Sequence, residues 1–183
     1  TMVFTHIPAN LCLIAAALMY LAAGAAHAQI SGNVVKIGVL NDQSGTYADL
    51  AGPGSTLAAK MAVEDFMAKD KSLKVEVIAA DHQNKPDVGS QIARKWYDSD
   101  GVDLIVDVPT SSVALAVNQI TKDKGKAFIV SGAASSDLTG KACSPNTVHW
   151  TYDTWALANA TGKAAVKTGG DTWFFLTADY AFG

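Results

Sequence analysis

Four times along this chain a short apolar run stops abruptly in small or polar residues, and that repeat constrains the fold more than any other feature. VVKIGVL (34–40) runs into Asn41–Gly45, KVEVIAA (74–80) into Asp81–Asn84, and VDLIVDV (102–108) into Pro109–Ser112. The fourth, AFIVSGAASS (127–136), holds both the run and its loop. A strand buried on both faces reads as a continuous apolar run, as strands of parallel sheets do. A parallel sheet also aligns the four loops along one edge, where open α/β sheets bind their ligands.

The stretches between the runs read as helices. The first spans about Pro53 to Ala68, with Pro in its first turn and Leu57, Ala58, Met61, Ala62 and Phe66 expected to face the sheet. A second follows Pro86, with Val88, Ile92 and Trp96 on one face. A third, from Ser112 to near Gly125, is expected to bury Val113, Val117 and Ile120 and to keep Asn118 and Lys122 outside. Strand 73–80 alternates apolar and charged residues, as a strand nearer the sheet edge does. Strand and helix thus alternate through about three units, the signature of an α/β protein with a parallel sheet flanked by helices. After Ser136 the rhythm changes. An irregular stretch to Asn146 leads into an extended piece, 147–152, then a helix capped by Asp153 or Thr154 and stopped by Gly169-Gly170, and a further strand over Thr172–Thr177.

The first 28 residues are of another kind. Leu11 to Ala26 is uncharged and rich in Leu and Ala, and it closes on Ala26-His27-Ala28, an A-x-A cleavage pattern. Residues 1–28 read as a secretory signal with Gln29 as the mature start, although no Lys or Arg precedes Leu11 and Thr1 stands before Met2. The apolar stretch is shorter than the roughly 20 residues that span a bilayer. Discarding Cys12 with the signal leaves Cys143 alone, with its partner expected outside this chain.

Composition narrows the function. A net charge of -3 with 17% charged residues gives no basic footprint for nucleic acid or anionic membrane. The first strand–helix turn lacks the glycines of a dinucleotide site, no G-x-S-x-G nucleophile motif occurs, and no Cys/His cluster suggests a metal. Asp42, Asp81 and Asp107 stand at strand ends without a paired carboxylate, and His82 and His149 stand alone in sequence, so structural roles account for them better. No catalytic residue, metal or cofactor is expected. Two hydroxyl clusters are more informative. Thr110-Ser111-Ser112 and Ala133-Ala134-Ser135-Ser136 each bring hydroxyls and free backbone N–H groups to a strand end before a helix. Helix N-termini offer uncommitted donors and partial positive charge, which suit a carboxylate or phosphate. Either cluster alone reads equally well as helix caps; two in successive units favour a ligand.

KIGVLNDQSGTYADLAGPG, MAVEDF, the TSS after the third strand, SGAASSDLTG after the fourth and TADYAFG at the end, in this order over 34–183, resemble the leucine/isoleucine/valine branch of the type I periplasmic binding proteins, the solute receptors of ABC importers. The resemblance implies two α/β lobes that close on a solute by hinge motion. It assigns 29–146 to most of lobe one, 147–152 to a hinge crossing and 153–183 to the start of lobe two, so that the chain looks like an amino-terminal fragment. By position, Thr110 and Ser111 with the Ala133-Ala134-Ser135 turn would hold the solute's carboxylate. Leu50 would line the cleft, and Tyr180 and Phe182 would face it from lobe two. Where amino acid receptors of the family often carry Thr, this chain has Ala134, and the small side chains there leave room for a flat ring. The implied ligand is an aromatic carboxylate or a branched-chain amino acid, the implied partner an inner-membrane ABC permease, and the implied state a periplasmic monomer when complete. A periplasmic sensor of the same fold is the alternative, and an exported hydrolase stands behind it for want of a nucleophile.

Overall fold

The computed structural model describes residues 33–183; the signal reading of 1–28 and Cys12 lie outside them. Five strands form one parallel sheet in the order β2-β1-β3-β4-β5. They are β1 (Val34–Asn41), β2 (Lys74–Asp81), β3 (Leu104–Asp107), β4 (Ala127–Val130) and β5 (Thr147–His149). The helices are α1 (Ala48–Ala51), α2 (Pro53–Lys69), α3 (Pro86–Lys95), α4 (Ser111–Lys124) and α5 (Thr154–Lys167). The α/β reading therefore holds, and the extended piece after Asn146 joins the sheet as its fifth strand.

Local chemistry explains the boundaries. Pro53 and Pro86 occupy first turns, where a missing N–H costs nothing. Gly125 ends α4 in a left-handed conformation at φ 62°, and its N–H bonds back to the last turn. Asp153 caps α5, its side chain accepting from the Ala156 N–H at 2.7 Å. After α3 the chain makes one wider π turn, Trp96–Asp100, before Gly101 reverses it. That turn buries Trp96 and Tyr97. The indole presses so closely on β1 that a Cβ at Gly38 would sit 2.4 Å from its ring.

The core lies between the sheet and the α3–α4 pair. Leu40, Ile105, Val108, Phe128 and Val130 from the strands and their ends meet Ala93, Trp96, Val113, Val117 and Ile120 from the helical layer. β2 sits at the edge and keeps the alternating exposure its sequence suggests.

Three expectations are corrected. In α2 no residue is fully buried, and Leu57, Met61 and Phe66 are exposed, while Ala59, Val63 and Met67 are half-buried. The helix is apolar on more than one side, so periodicity alone selected the wrong stripe. Asn118 is buried rather than outside: its Nδ2 donates to the Ala142 carbonyl at 2.7 Å and its Oδ1 accepts from the Thr147 hydroxyl at 2.5 Å, tying α4 to the irregular stretch and to β5. The segment Thr172–Thr177 forms no strand. A strand needs a neighbour to take its backbone groups, and among the described residues none pairs with it.

Candidate functional site

The strand order reverses between β1 and β3, so the connections leaving their paired carboxyl ends part and leave a crevice, the place where open α/β sheets bind ligands. The loop after β1, the loop after β2 and the N-terminus of α4 meet there, and Tyr180 closes the far side. Together they enclose a recess of about 230 Å³ lined by Thr46, Tyr47, Asn84, Thr110, Ser112 and Tyr180.

Each wall has a physical origin. Asp42 is fully buried and organises the first loop, its carboxylate accepting the N–H groups of Gly45 and Tyr47, both at 2.8 Å, and the side-chain amide of Asn84. Asp81 does the same for its neighbours, accepting from Gln43 N at 3.1 Å, Gln83 N at 2.8 Å and the Ser44 hydroxyl at 2.5 Å. Burial raises the Asp81 pKa, but these bonds and the nearby His82 outweigh it and hold the carboxyl below its ordinary value. Asp107, buried at the end of β3, is pushed above the usual carboxylate range by burial, against hydrogen bonds from Ser55, Asn41 and Ser131. The negative charges of Asp42 and Asp81 are thus taken up by the loops.

The chain leaves β3 through Asp107 and Val108, at φ 82° and 53°. A left-handed conformation is uncommon for a β-branched residue, and here it is held by full burial of Val108 and its N–H bond to Leu40 O at 2.9 Å. The turn delivers Pro109 and Thr110 to the sheet edge. Gly132 lets the β4 loop close over it, since a Cβ there would lie 2.9 Å from Pro109 Cα.

The two hydroxyl clusters then play different parts. Ser111 faces inward and its Oγ accepts the N–H groups of Ala134 and Ser135, each at 3.2 Å, so these groups satisfy one another. The Ala133 carbonyl bonds His149 Nε2 at 2.7 Å, and Ser135 caps a short 3₁₀ turn. Ala133, Ala134, Ser135 and Ser111 are all buried behind the recess. Thr110 lines it, although its side chain makes no cap bond to α4. Among the described residues, the N–H groups of Ser111, Ser112 and Val113 have no acceptor; Ser111 and Val113 are buried, so Ser112, on the wall of the recess, is where the first turn of α4 meets an anion. The first three amides of α5 are all occupied, by the Ala134 carbonyl, Ser136 Oγ and Asp153.

Of the residues singled out from the sequence, the structure brings Thr110 and Tyr180 to the recess and sets Ser111 and the Ala133-Ala134-Ser135 turn directly behind it. Leu50 lies on α1 and is exposed. Phe182 faces a larger apolar basin of about 820 Å³ between α5 and the last residues. Neither cavity has a charged lining residue, but the α5 amides beside the basin are already bonded, whereas the smaller recess keeps the unbonded Ser112 N–H on its wall and is the better candidate. Sequence reasoning placed Ser112 in its hydroxyl cluster without assigning it to the site, and it missed Thr46, Tyr47 and Asn84. The Tyr47 and Tyr180 hydroxyls meet across the recess at 2.6 Å, and burial, with Tyr47 beside it, holds the Tyr180 phenol above its ordinary pKa.

A family model described as periplasmic binding protein matches residues 34–183. The chain belongs to this family. Among solved structures, a periplasmic binding protein from Burkholderia mallei is 51% identical at a TM-score of 0.79, the match covering 84% of this chain and 41% of that one. A branched-chain amino acid ABC transporter periplasmic ligand-binding protein from Burkholderia xenovorans LB400 is 40% identical at 0.71, covering 81% and 40%. A solute-binding protein of an ABC transporter from Rhodopseudomonas palustris BisB5, in complex with 3,4-dihydroxybenzoic acid, is 25% identical at 0.72, covering 82% and 41%. This periplasmic binding protein chain therefore spans about two fifths of the length of those structures. No curated protein matches it.

Proposed function

We propose that this chain is the leading part of an extracytoplasmic receptor that captures a small carboxylate between two lobes and hands it to an ABC permease. In this reading residues 1–28 direct export, 29–146 form the first lobe, 147–152 cross between lobes, and 153–183 begin the second. The observation that carries it is the unoccupied first turn of α4 at the sheet's switch point, with Thr110 and Ser112 lining the recess in front of it. A carboxylate there accepts backbone N–H groups at the positive end of a helix, in a site partly screened from water. Family membership supports the receptor role, and the relatives named for branched-chain amino acids and solved with a dihydroxybenzoate support the ligand class. The receptor works without chemistry, as a non-catalytic monomer in the periplasm.

The test is a thermal-shift and calorimetric screen of the full mature protein against leucine, valine, benzoate, 3,4-dihydroxybenzoate and glucose. Ligand at a hundred times its dissociation constant stabilises the native state by about 2.7 kcal/mol. At least one carboxylate is expected to bind and its primary amide to fail. Binding of glucose alone, or of amide and acid equally, would overturn the reading.

A further inference from the structure

The recess has a hydrogen-bond polarity written into it by a residue outside it. Asp42 is buried and its carboxylate can only accept. Its oxygens already take two backbone N–H groups, so the side chain of Asn84 must turn its NH₂ toward Asp42 and its carbonyl oxygen away. That oxygen meets the Thr110 hydroxyl, and because an amide oxygen can only accept, Thr110 has to donate. The one proton of the Thr110 hydroxyl is therefore used inside the wall. What Thr110 offers to the recess is lone pairs.

This orientation matters because the neighbouring groups have the opposite character. The Ser112 N–H at the start of α4 only donates, and the Ser112 hydroxyl is free to do either. The recess thus presents donors at the helix terminus and an oriented acceptor beside them. A carboxylate satisfies the first; it leaves the second facing another acceptor, which is unfavourable when both are shielded from water. A solute that carries a donor near its carboxylate satisfies both.

We infer that Asn84, held by Asp42, is a specificity-determining positioning residue: it fixes Thr110 as an acceptor, so the site selects carboxylates that also bear a hydroxyl or ammonium donor over otherwise equal carboxylates that lack one. This rests on the receptor reading above and adds the residue that sets the preference.

The experiment measures dissociation constants by calorimetry for matched pairs on the full mature protein: leucine against 4-methylpentanoate, and mandelate against phenylacetate. A satisfied rather than opposed acceptor predicts a preference of roughly five- to tenfold or more for the donor-bearing member of whichever pair binds. Asn84→Leu frees Thr110 to turn its proton into the recess, and the preference drops to within about twofold. Thr110→Val removes the acceptor and abolishes the preference, whereas Thr110→Ser retains it. The ratio between paired ligands is the readout, since a merely structural loss weakens both members together. Equal affinities within either binding pair in the wild-type protein would overturn the inference while leaving the carboxylate site standing. Failure of every carboxylate to bind would overturn the receptor reading itself and this inference with it.

Discussion

Residues 34–150 and 153–183 carry similar apolar sequence and treat it in opposite ways. In the first region Val39, Leu40, Ile105, Phe128 and Val130 lie fully out of solvent, each enclosed by a neighbouring strand or by α3 and α4. In the second, α5 buries no residue, and Phe174 and Leu176 are 91% and 92% exposed. The contrast teaches that an apolar run becomes a strand through its partners. Backbone groups must be paired before they can be buried, and side chains lower the free energy only when something covers them.

The largest effect expected from this contrast is in the core. Phe128→Ala should destabilise by about 3–5 kcal/mol, through lost burial and the cavity left behind. Phe174→Ala should change stability by no more than about 0.5 kcal/mol, as exposed substitutions do. Urea denaturation of both variants checks this. A large cost at Phe174 would mean that the second region is covered in solution, and the comparison would break.

The same contrast explains what was legible in the sequence. Strands β1, β3 and β4 carry continuous apolar runs with abrupt ends, and the loops that build the recess could be placed from them, although β3 and β4 bury one face and leave the other half-buried or exposed. Segment 172–177 has the same appearance, but its partner is not encoded in its own residues. The α2 stripe failed for a related reason: Leu57, Met61 and Phe66 are as apolar as Val63 and Met67, and spacing does not say which side meets the sheet. In the site, the Thr110–Ser112 cluster was visible because hydroxyls before a helix have a known use. Asn84 was not, since its bonds to Asp42 and Thr110 cross 42 and 26 residues between loops and leave no periodic trace. Its place at a strand end, level with Thr110, was the only available signal.

A second and smaller effect sharpens the comparison within the first region. Asn118→Ala leaves the Ala142 carbonyl and the Thr147 hydroxyl without their partner, at a cost of about 1–3 kcal/mol. Asn159 makes a single exposed bond within α5, to the Trp155 carbonyl, and Asn159→Ala should cost almost nothing. Equal costs in denaturant melts would show that burial is not what separates the two regions.

The pH dependence comes next. His82 is fully buried, its Nδ1 accepts the Asn84 N–H at 3.0 Å, and burial holds the imidazole below its ordinary pKa of 6.5 while Asp42 and Asp81 pull it upward. As the pH falls through 6.5 the unfolded chain takes up a proton that the folded chain resists. Stability from this group is therefore complete above pH 6.5 and declines below it. His82→Asn, whose amide oxygen stands near the place of Nδ1, should remove this decline. Stability curves for the two proteins between pH 7.5 and 5 are expected to diverge toward the acid end; parallel curves would show that His82 protonates freely in the fold.

The smallest effect concerns the bond that links the two regions across the recess. Tyr47 and Tyr180 share one hydroxyl–hydroxyl hydrogen bond of 2.6 Å, and Tyr180 is only partly buried. Tyr180→Phe keeps the ring and removes the bond, so a loss of about 0.5–1.5 kcal/mol is expected at most. A double-mutant cycle with Tyr47→Phe isolates the pair from other consequences of either change. If the second region rests on the first through this pair, the single variants should cost alike and the double variant no more than either. Additive costs would mean that the hydroxyls act separately, each with water. The second region would then be attached to the first only through the start of α5, where Thr154 N–H meets the Ala134 carbonyl at 2.8 Å, and Tyr180 would reach the recess only when a solute draws it there.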